Sequence, residues 1–252
     1  MSKEKDLKAI LVAGGEGSRL SPFTKYTHKT LLPLFDKPVI DYALATIRGA
    51  GVRDITIIAN SKIGQIAKHV GVGVEGERIH YVIEEEPRGV AHAIDLARPY
   101  VEGSRILLYF SDNITSCDFS EDGERFRNSE RPPGAILLAR TVENPSEFGV
   151  CVMDQAGTVV DIVEKPDNPP SDLAIGGIYM FDEKFWEYLD EEFEKNGTDF
   201  SISDITRRYV TQKNAIIRNI GEVTWVDCGT PENLIKAGNL AFRGEITTNF
   251  EE

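Results

Sequence analysis

The chain has 252 residues, with 28 Lys+Arg against 41 Asp+Glu, a formal net charge of −13 and 41% hydrophobic residues. That length accommodates one large α/β domain or two small ones around a sizeable buried core. The acidic balance argues against a binder of nucleic-acid polymers or of anionic membranes, and leaves open a small anionic ligand held by a few local cations.

The segment Met1 to Asp6 leads into only a short apolar run, Ala9 to Ala13. No secretory signal is expected there, and the absence of about 18 consecutive apolar residues predicts no membrane span. Leu7 to Ala13 reads as a buried strand stopped by Gly14-Gly15. The turn continues as Glu16-Gly17-Ser18-Arg19-Leu20. Glycines let a backbone approach a phosphate closely and aim successive amides at it, and an arginine fork grips a polyphosphate. No Gly-Lys-Ser/Thr follows, and Leu20 stands where a dinucleotide fingerprint needs its third glycine, which disfavours a nicotinamide-dependent oxidoreductase. A plain tight turn is the competing reading. Lys25 and Lys29, with Arg19, place three cations within a short stretch of an acidic protein, either a phosphate grip or a solvated face.

Val39 to Gly51 has helical periodicity, Asp54 to Ala59 reads as a strand, Lys62 to Val70 as a helix and Ile79 to Ile83 as a strand. Val90 to Tyr100 is a predicted helix, and Ile106 to Phe110 a strand ending at Ser111-Asp112-Asn113. Such alternation implies right-handed βαβ units and a parallel sheet. The pattern then changes to short strands at Ala135 to Ala139, Val150 to Met153, Val159 to Glu164 and Ile175 to Phe181. Helices are predicted again at Glu183 to Lys195, Ile202 to Gln212 and Pro231 to Phe242, with a late strand at Val223 to Val226. The expectation is an α/β, doubly wound, Rossmann-like mixed sheet with a β-rich second half. Residues 1–252 form a single domain in this reading, divided at about residue 115 into a doubly wound half and a β-rich half that ends at about residue 245.

Ligands of open sheets sit beyond the carboxyl ends of the strands. Asp112 and Asp227 each close an apolar run there. Two carboxylates without a histidine cluster suit Mg²⁺, which keeps water and substrate phosphates as its other ligands; two turn-forming aspartates are the alternative. His28, His69, His80 and His92 have no zinc spacing and read as surface or structural. Cys117, Cys151 and Cys228 read as half-buried filler in a reducing cytoplasm. Glu164-Lys165-Pro166 is either a phosphate contact with a hydroxyl acceptor or an exposed ion pair.

Taken in order, the motifs Gly14-Gly15-x-Gly17-Ser18-Arg19-Leu20, Lys29-x-Leu31-Leu32-Pro33, Asp36-Lys37-Pro38, Gly89-x-Ala91-x-Ala93, Asp112-Asn113, Phe148-Gly149-Val150, Glu164-Lys165-Pro166, Ile202-x-Asp204-Ile205 and Trp225-x-Asp227-x-Gly229-Thr230 resemble those of sugar-1-phosphate nucleotidyltransferases, in particular glucose-1-phosphate thymidylyltransferases. The resemblance runs from Lys8 to about Phe242. It implies a cytoplasmic, homo-oligomeric enzyme that converts a nucleoside triphosphate, dTTP or UTP, and glucose-1-phosphate to a nucleotide-sugar and pyrophosphate. Among the roles it implies, Ala13, Gly14, Gly15, Gly17, Ser18 and Arg19 hold the triphosphate with help from Lys29, and Gly89 backs the base. It also implies that Asp112 and Asp227 hold Mg²⁺, that Lys165 meets the sugar phosphate, and that Glu164, Phe148, Gly149 and Gly176 meet the hexose.

The chain departs from the family at Glu84, where a glutamine usually contacts thymine, so CTP or another base is an alternative substrate. It departs again at Ser111, usually glycine, and at Thr198-Asp199-Phe200-Ser201, usually Gly-Glu-Leu-Glu, which leaves the sugar open. The few residues past Phe242 are expected to omit the helical tail of longer members. A non-catalytic sugar-nucleotide sensor on the same fold is the other alternative, and Arg19, Asp112, Lys165 and Asp227 are all intact.

Overall fold

The computed structural model describes residues 6–248. Its first half alternates strand and helix: β1 (Leu7–Ala13), α1 (Val39–Gly49), β2 (Asp54–Ala59), α2 (Ile63–Val70), β3 (Arg78–Ile83), α3 (Val90–Leu96), α4 (Arg98–Val101) and β4 (Arg105–Phe110). The second half contains β5 (Asn113–Thr115), α5 (Ser120–Asn128), β6 (Ala135–Thr141), β7 (Gly149–Met153), β8 (Val159–Glu164) and β9 (Leu173–Phe181). It ends with α6 (Lys184–Asn196), α7 (Ile202–Thr211), β10 (Ala215–Asn219), β11 (Trp225–Asp227) and α8 (Pro231–Phe242).

Nine strands form one mixed sheet in the order β10-β6-β9-β4-β1-β2-β3, with β7 joined to β9 and β8 to β7. β4, β1, β2 and β3 are parallel, whereas β9 runs antiparallel to both β4 and β6. β5 and β11 make a separate antiparallel ribbon. Strand side chains alternate between faces, so Ile10 and Val12 enter one core with α3, α4, α6 and α7, while Ala9, Leu11 and Ala13 enter the other with α1, α2 and α5. Helices on both faces make this the doubly wound arrangement the sequence predicts. A third cluster packs α8 against the ribbon through Val226, Cys228, Ala237 and Ala241.

Several elements differ from the sequence reading. The helix expected over Val90 to Tyr100 is two helices, because Pro99 cannot donate the hydrogen bond that would continue the first. β9 begins at Leu173, ahead of the expected Ile175, because Ile175 pairs with Ala139 and Ala174 with Val150, and Gly176 and Gly177 lie in its interior. All three cysteines are fully buried rather than half-buried. His28 is structural, at 1% exposure.

Candidate active site

β1 delivers the chain into the glycine turn. Gly15 and Gly17 have φ of 82° and 66°, the left-handed region that glycine enters without a Cβ penalty. A Cβ on Gly17 would also stand 2.9 Å from Thr24 Cγ2 and 3.0 Å from Lys29 Cβ. The turn therefore packs directly on the segment that carries Lys29, and Thr24 Oγ1 locks it by donating to Gly17 O at 2.8 Å. Three short 3-10 turns follow, Ser18–Leu20, Phe23–Lys25 and Lys29–Leu31. With no long helix here, an anion at this turn would be held by turn amides and side chains rather than by a helix dipole.

His28, read from the sequence as surface or structural, anchors Lys29. Its backbone N–H donates to Gln65 Oε1 at 2.8 Å, and its Nδ1 accepts from Thr30 N at 3.2 Å. Burial, then the Lys29 charge, pull the imidazole down to about 4, so it is neutral near pH 7. Lys29 Nζ reaches across to Asp112 Oδ2 at 2.7 Å.

Asp112 follows β4 and Asp227 ends β11, and the two are joined by the hydrogen bond from Cys228 N to Asp112 O at 2.7 Å. Asp227 Oδ1 accepts from Gly229 N at 2.8 Å. A Cβ on Gly229 would stand 2.7 Å from Arg19 Nη2 and 2.8 Å from Asp227 Oδ1, so the guanidinium and the carboxylate crowd one glycine. Arg19, Lys29, Asp112 and Asp227 thus form one cluster from three parts of the chain. Burial would raise the Asp112 carboxyl, but Lys29 holds it below the usual carboxylate range. Burial and then the Asp112 charge push Asp227 up.

A pair of adjacent carboxylates in mutual repulsion, backed by only two cations, is a donor set that suits a hard divalent ion. Among the described residues no group of three or more His, Cys, Asp or Glu could hold a metal.

Asn113, part of the Asp112-Asn113 motif but given no role there, organises the cluster. Its Oδ1 accepts from Trp225 Nε1 at 2.8 Å and Gly177 N at 3.2 Å, and its Nδ2 donates to Asp112 Oδ1 at 3.1 Å. A Cβ on Gly177 would stand 2.6 Å from that Nδ2. Gly176 faces the Trp225 ring, 3.4 Å from its would-be Cβ, and Phe148 lies against the same ring at 5.7 Å between centroids.

A second group lies where β7 and β8 pair, with Gly149 opposite Glu164. Ser203 Oγ, on α7, donates to Glu164 Oε2 at 2.5 Å and would meet a Cβ on Gly149 at 2.9 Å. Ser203 is a further residue that spacing did not reveal. Lys165 Nζ is 3.6 Å from Glu164 Oε1, with its side chain 63% exposed, and its backbone is held at φ 40°. The backbone of Phe148 is used internally: its N–H donates to Pro145 O and its O accepts from Lys165 N. On the other flank, Glu84 sits at the end of β3, its Oε2 2.7 Å from where a Gly14 Cβ would be. Gly89 caps α3 with φ 96° and nothing within 4 Å of its Cβ position.

The arrangement is that of a nucleotidyl transferase: a glycine turn with cations and paired carboxylates at the strand ends, flanked by a carboxylate–lysine group. The family model described as Nucleotidyl transferase matches residues 8–242, and the chain belongs to this family, on its sugar-1-phosphate nucleotidyltransferase side. The glucose-1-phosphate thymidylyltransferase of Xanthomonas campestris is 35% identical over 92% of this chain and 80% of its own. The low-salt glycan biosynthesis nucleotidyltransferase Agl11 of Haloferax volcanii is 32% identical over 93% of this chain, which spans 66% of that protein. A Bacillus anthracis structure, provisionally assigned as a glucose-1-phosphate thymidylyltransferase and solved with sucrose, superimposes with TM-score 0.87 at 32% identity, covering 98% of each chain. A UDP-glucose pyrophosphorylase complexed with UDP-glucose shares the fold, at TM-score 0.81 and 23% identity.

Proposed function

We propose that the protein joins a nucleoside triphosphate to a hexose-1-phosphate, giving a nucleotide-sugar and pyrophosphate, with dTTP or UTP and glucose-1-phosphate as the pair. The observation that carries this reading is the convergence of Arg19 and Lys29 with Asp112 and Asp227 at the strand ends. An oxygen of the sugar phosphate attacks the α-phosphorus; that P–O bond forms as the bond to the bridging oxygen breaks, and pyrophosphate leaves. The nucleophile is already an anion, so little general-base help is required. The requirement is to hold two repelling anions in line and to offset charge at the α-phosphate.

Arg19 and the turn amides bind the triphosphate, Lys29 moves from Asp112 toward phosphate, and Lys165 draws in the sugar phosphate. Glu164, oriented by Ser203, accepts from a sugar hydroxyl. Mg²⁺, held by Asp112 and Asp227, supplies charge neutralisation when bound. The protein is further taken to be a cytoplasmic homo-oligomer that engages neither nucleic-acid polymers nor membranes. Support for association is an exposed apolar patch of Phe35, Ile235 and Phe242, tested by light scattering. No helix among the described residues is long and apolar enough to cross a membrane.

A pyrophosphate-release assay with dTTP, UTP, CTP, GTP and ATP against glucose-1-phosphate and other hexose-1-phosphates tests the activity. Turnover with a thymine or uracil nucleotide is the expected result, and no turnover with any pair would sink it. Turnover with CTP alone would move the reading to a cytidylyltransferase.

A further inference from the structure

Among the described residues, Arg105, Glu192 and Glu84 are the buried charged residues other than histidine, at 2%, 7% and 5% exposure, and the Glu77 side chain is also buried, in its ion pair with Arg48 at 2.7 Å. Arg105 pairs with Glu183 at 3.2 Å, and Glu192 accepts from Asn196 at 2.9 Å. Glu84 alone has no hydrogen bond or ion pair to its carboxyl among the described residues. The sealed side-chain atoms without a partner are His28 Nε2, Asp54 Oδ1, Thr56 Oγ1 and Ser111 Oγ, so the Glu84 oxygens are not closed off and stand open to a ligand that supplies a partner.

Its place in the fold says what that is. The sheet order β4-β1-β2-β3 puts the cation and carboxylate cluster at the ends of β1 and β4, and the Glu164–Lys165 group lies beyond β9. A triphosphate bound at the cluster therefore has one direction left for its base, toward the ends of β2 and β3. There Glu84 Oε2 lies over the bare face of Gly14, and Gly89, exposed and with nothing near its Cβ position, leaves the opposite side open.

Resting on the nucleotidyltransferase reading, we infer that Glu84 recognises a 4-oxopyrimidine as an uncharged carboxylic acid, its O–H donating to O4 and its C=O accepting from N3–H. In that form it offers one donor and one acceptor, the same pair as a glutamine amide, whereas a carboxylate offers acceptors only. The surroundings favour the neutral form. Burial pushes the Glu84 carboxyl up, and only His92, on α3, draws it the other way. In its own loop stand Glu85 and Glu86, with Arg88 committed to Glu86 at 2.6 Å. In the turn after β1 the nearest acid in sequence is Glu16, and at the start of α2 Lys62 Nζ is engaged by Thr24 O at 2.5 Å.

The sign follows directly. Only protonated Glu84 makes both contacts, so binding takes up a proton and weakens as pH rises through the Glu84 titration. The test is calorimetric binding of UTP and dTTP with Mg²⁺, from about pH 6 to about pH 8.5, for the wild type and Glu84→Gln; the nucleotide's own ionisation cancels in the ratio. Above the titration, wild-type affinity relative to Glu84→Gln should fall about tenfold per pH unit, with proton uptake in the wild type only. At a pH above the Glu84 titration, where the free carboxyl is ionised, a carboxylic C=O infrared band should appear on nucleotide binding to the wild type and be missing from Glu84→Gln, a readout needing no comparison of stabilities. A constant affinity ratio, no such band, or tighter GTP than UTP binding at high pH would overturn the inference, the last by marking an ionised Glu84 facing two donors. Failure of every nucleotide in the pyrophosphate assay would instead strike the nucleotidyltransferase reading, since binding and the infrared band are measured without turnover.

Discussion

At the scale of single residues, the site holds charge the fold would rather not hold. Asp227 is pushed up by burial and by Asp112, so replacing it with a neutral isostere removes a repulsion and keeps an oxygen for the Gly229 N–H. Asp227→Asn should therefore unfold at higher temperature, by about 0.5–2 kcal/mol of added stability, as active-site charge removal commonly gives. Its turnover should fall at least ~100-fold, the usual loss when one positioned charge is removed; paired calorimetry and kinetics read both. Asp112→Asn is expected to lose activity equally but without the gain in stability, because it also frees Lys29 from its 2.7 Å partner. Lys165 stores a different strain. Its φ of 40° is one that side chains other than glycine's rarely adopt, at a cost of about 1–3 kcal/mol. Lys165→Ala and Lys165→Gly should both lose at least ~100-fold in turnover, but only the glycine variant should recover stability, by up to about 1 kcal/mol. Equal melting temperatures would show that the backbone there is unstrained.

At the scale of elements, one asparagine ties three strands. Asn113 begins β5, accepts from Trp225 on β11 and Gly177 on β9, and steadies Asp112. Asn113→Ala leaves two buried N–H groups without an acceptor, each costing about 1–3 kcal/mol. Gly177→Ala drives a methyl to 2.6 Å from the same amide and 2.8 Å from Phe110, an overpacking worth about 1–3 kcal/mol. Because both act on the one contact, the double variant should cost less than the two losses added; additivity in urea melts would separate them. This contact also marks what the sequence conceals. β1, β2, β8 and α8 are legible to the residue, since apolar periodicity bounded by glycine, aspartate or a Thr-Pro start is a local signal. α5 escapes notice because Ser120–Asn128 is largely polar with Gly123 inside it. The glycine turn, Arg19, Asp112 and Asp227 are legible as a candidate site because they stand at or soon after strand ends, and Lys29 because it adds a cation ten residues beyond Arg19. Asn113, His28 and Ser203 are not, because what they do depends on partners 112, 37 and 39 residues away.

At the scale of the whole molecule, the net charge of −13 and the local cations act over different distances. Screening lengths are about 10 Å at 0.1 M salt and about 30 Å at 0.01 M. An approaching nucleotide, itself an anion, therefore meets the repulsion of the whole acidic surface first, and feels Arg19 and Lys29 only near contact. Those two are partly neutralised in the free protein, Lys29 by Asp112 and Arg19 by the nearby Asp227. This sets the sign of the salt effect. Raising ionic strength from about 0.01 M to about 0.15 M should increase the association rate of the Mg²⁺–nucleotide, because screening removes long-range repulsion before it weakens contacts inside the cleft. The dissociation rate should rise less, since partly buried pairs are screened far less than exposed ones. Stopped-flow measurement of both rates with a fluorescent nucleotide separates the terms. An association rate that falls with salt would mean the cation cluster, not the acidic surface, governs the field at the mouth of the site.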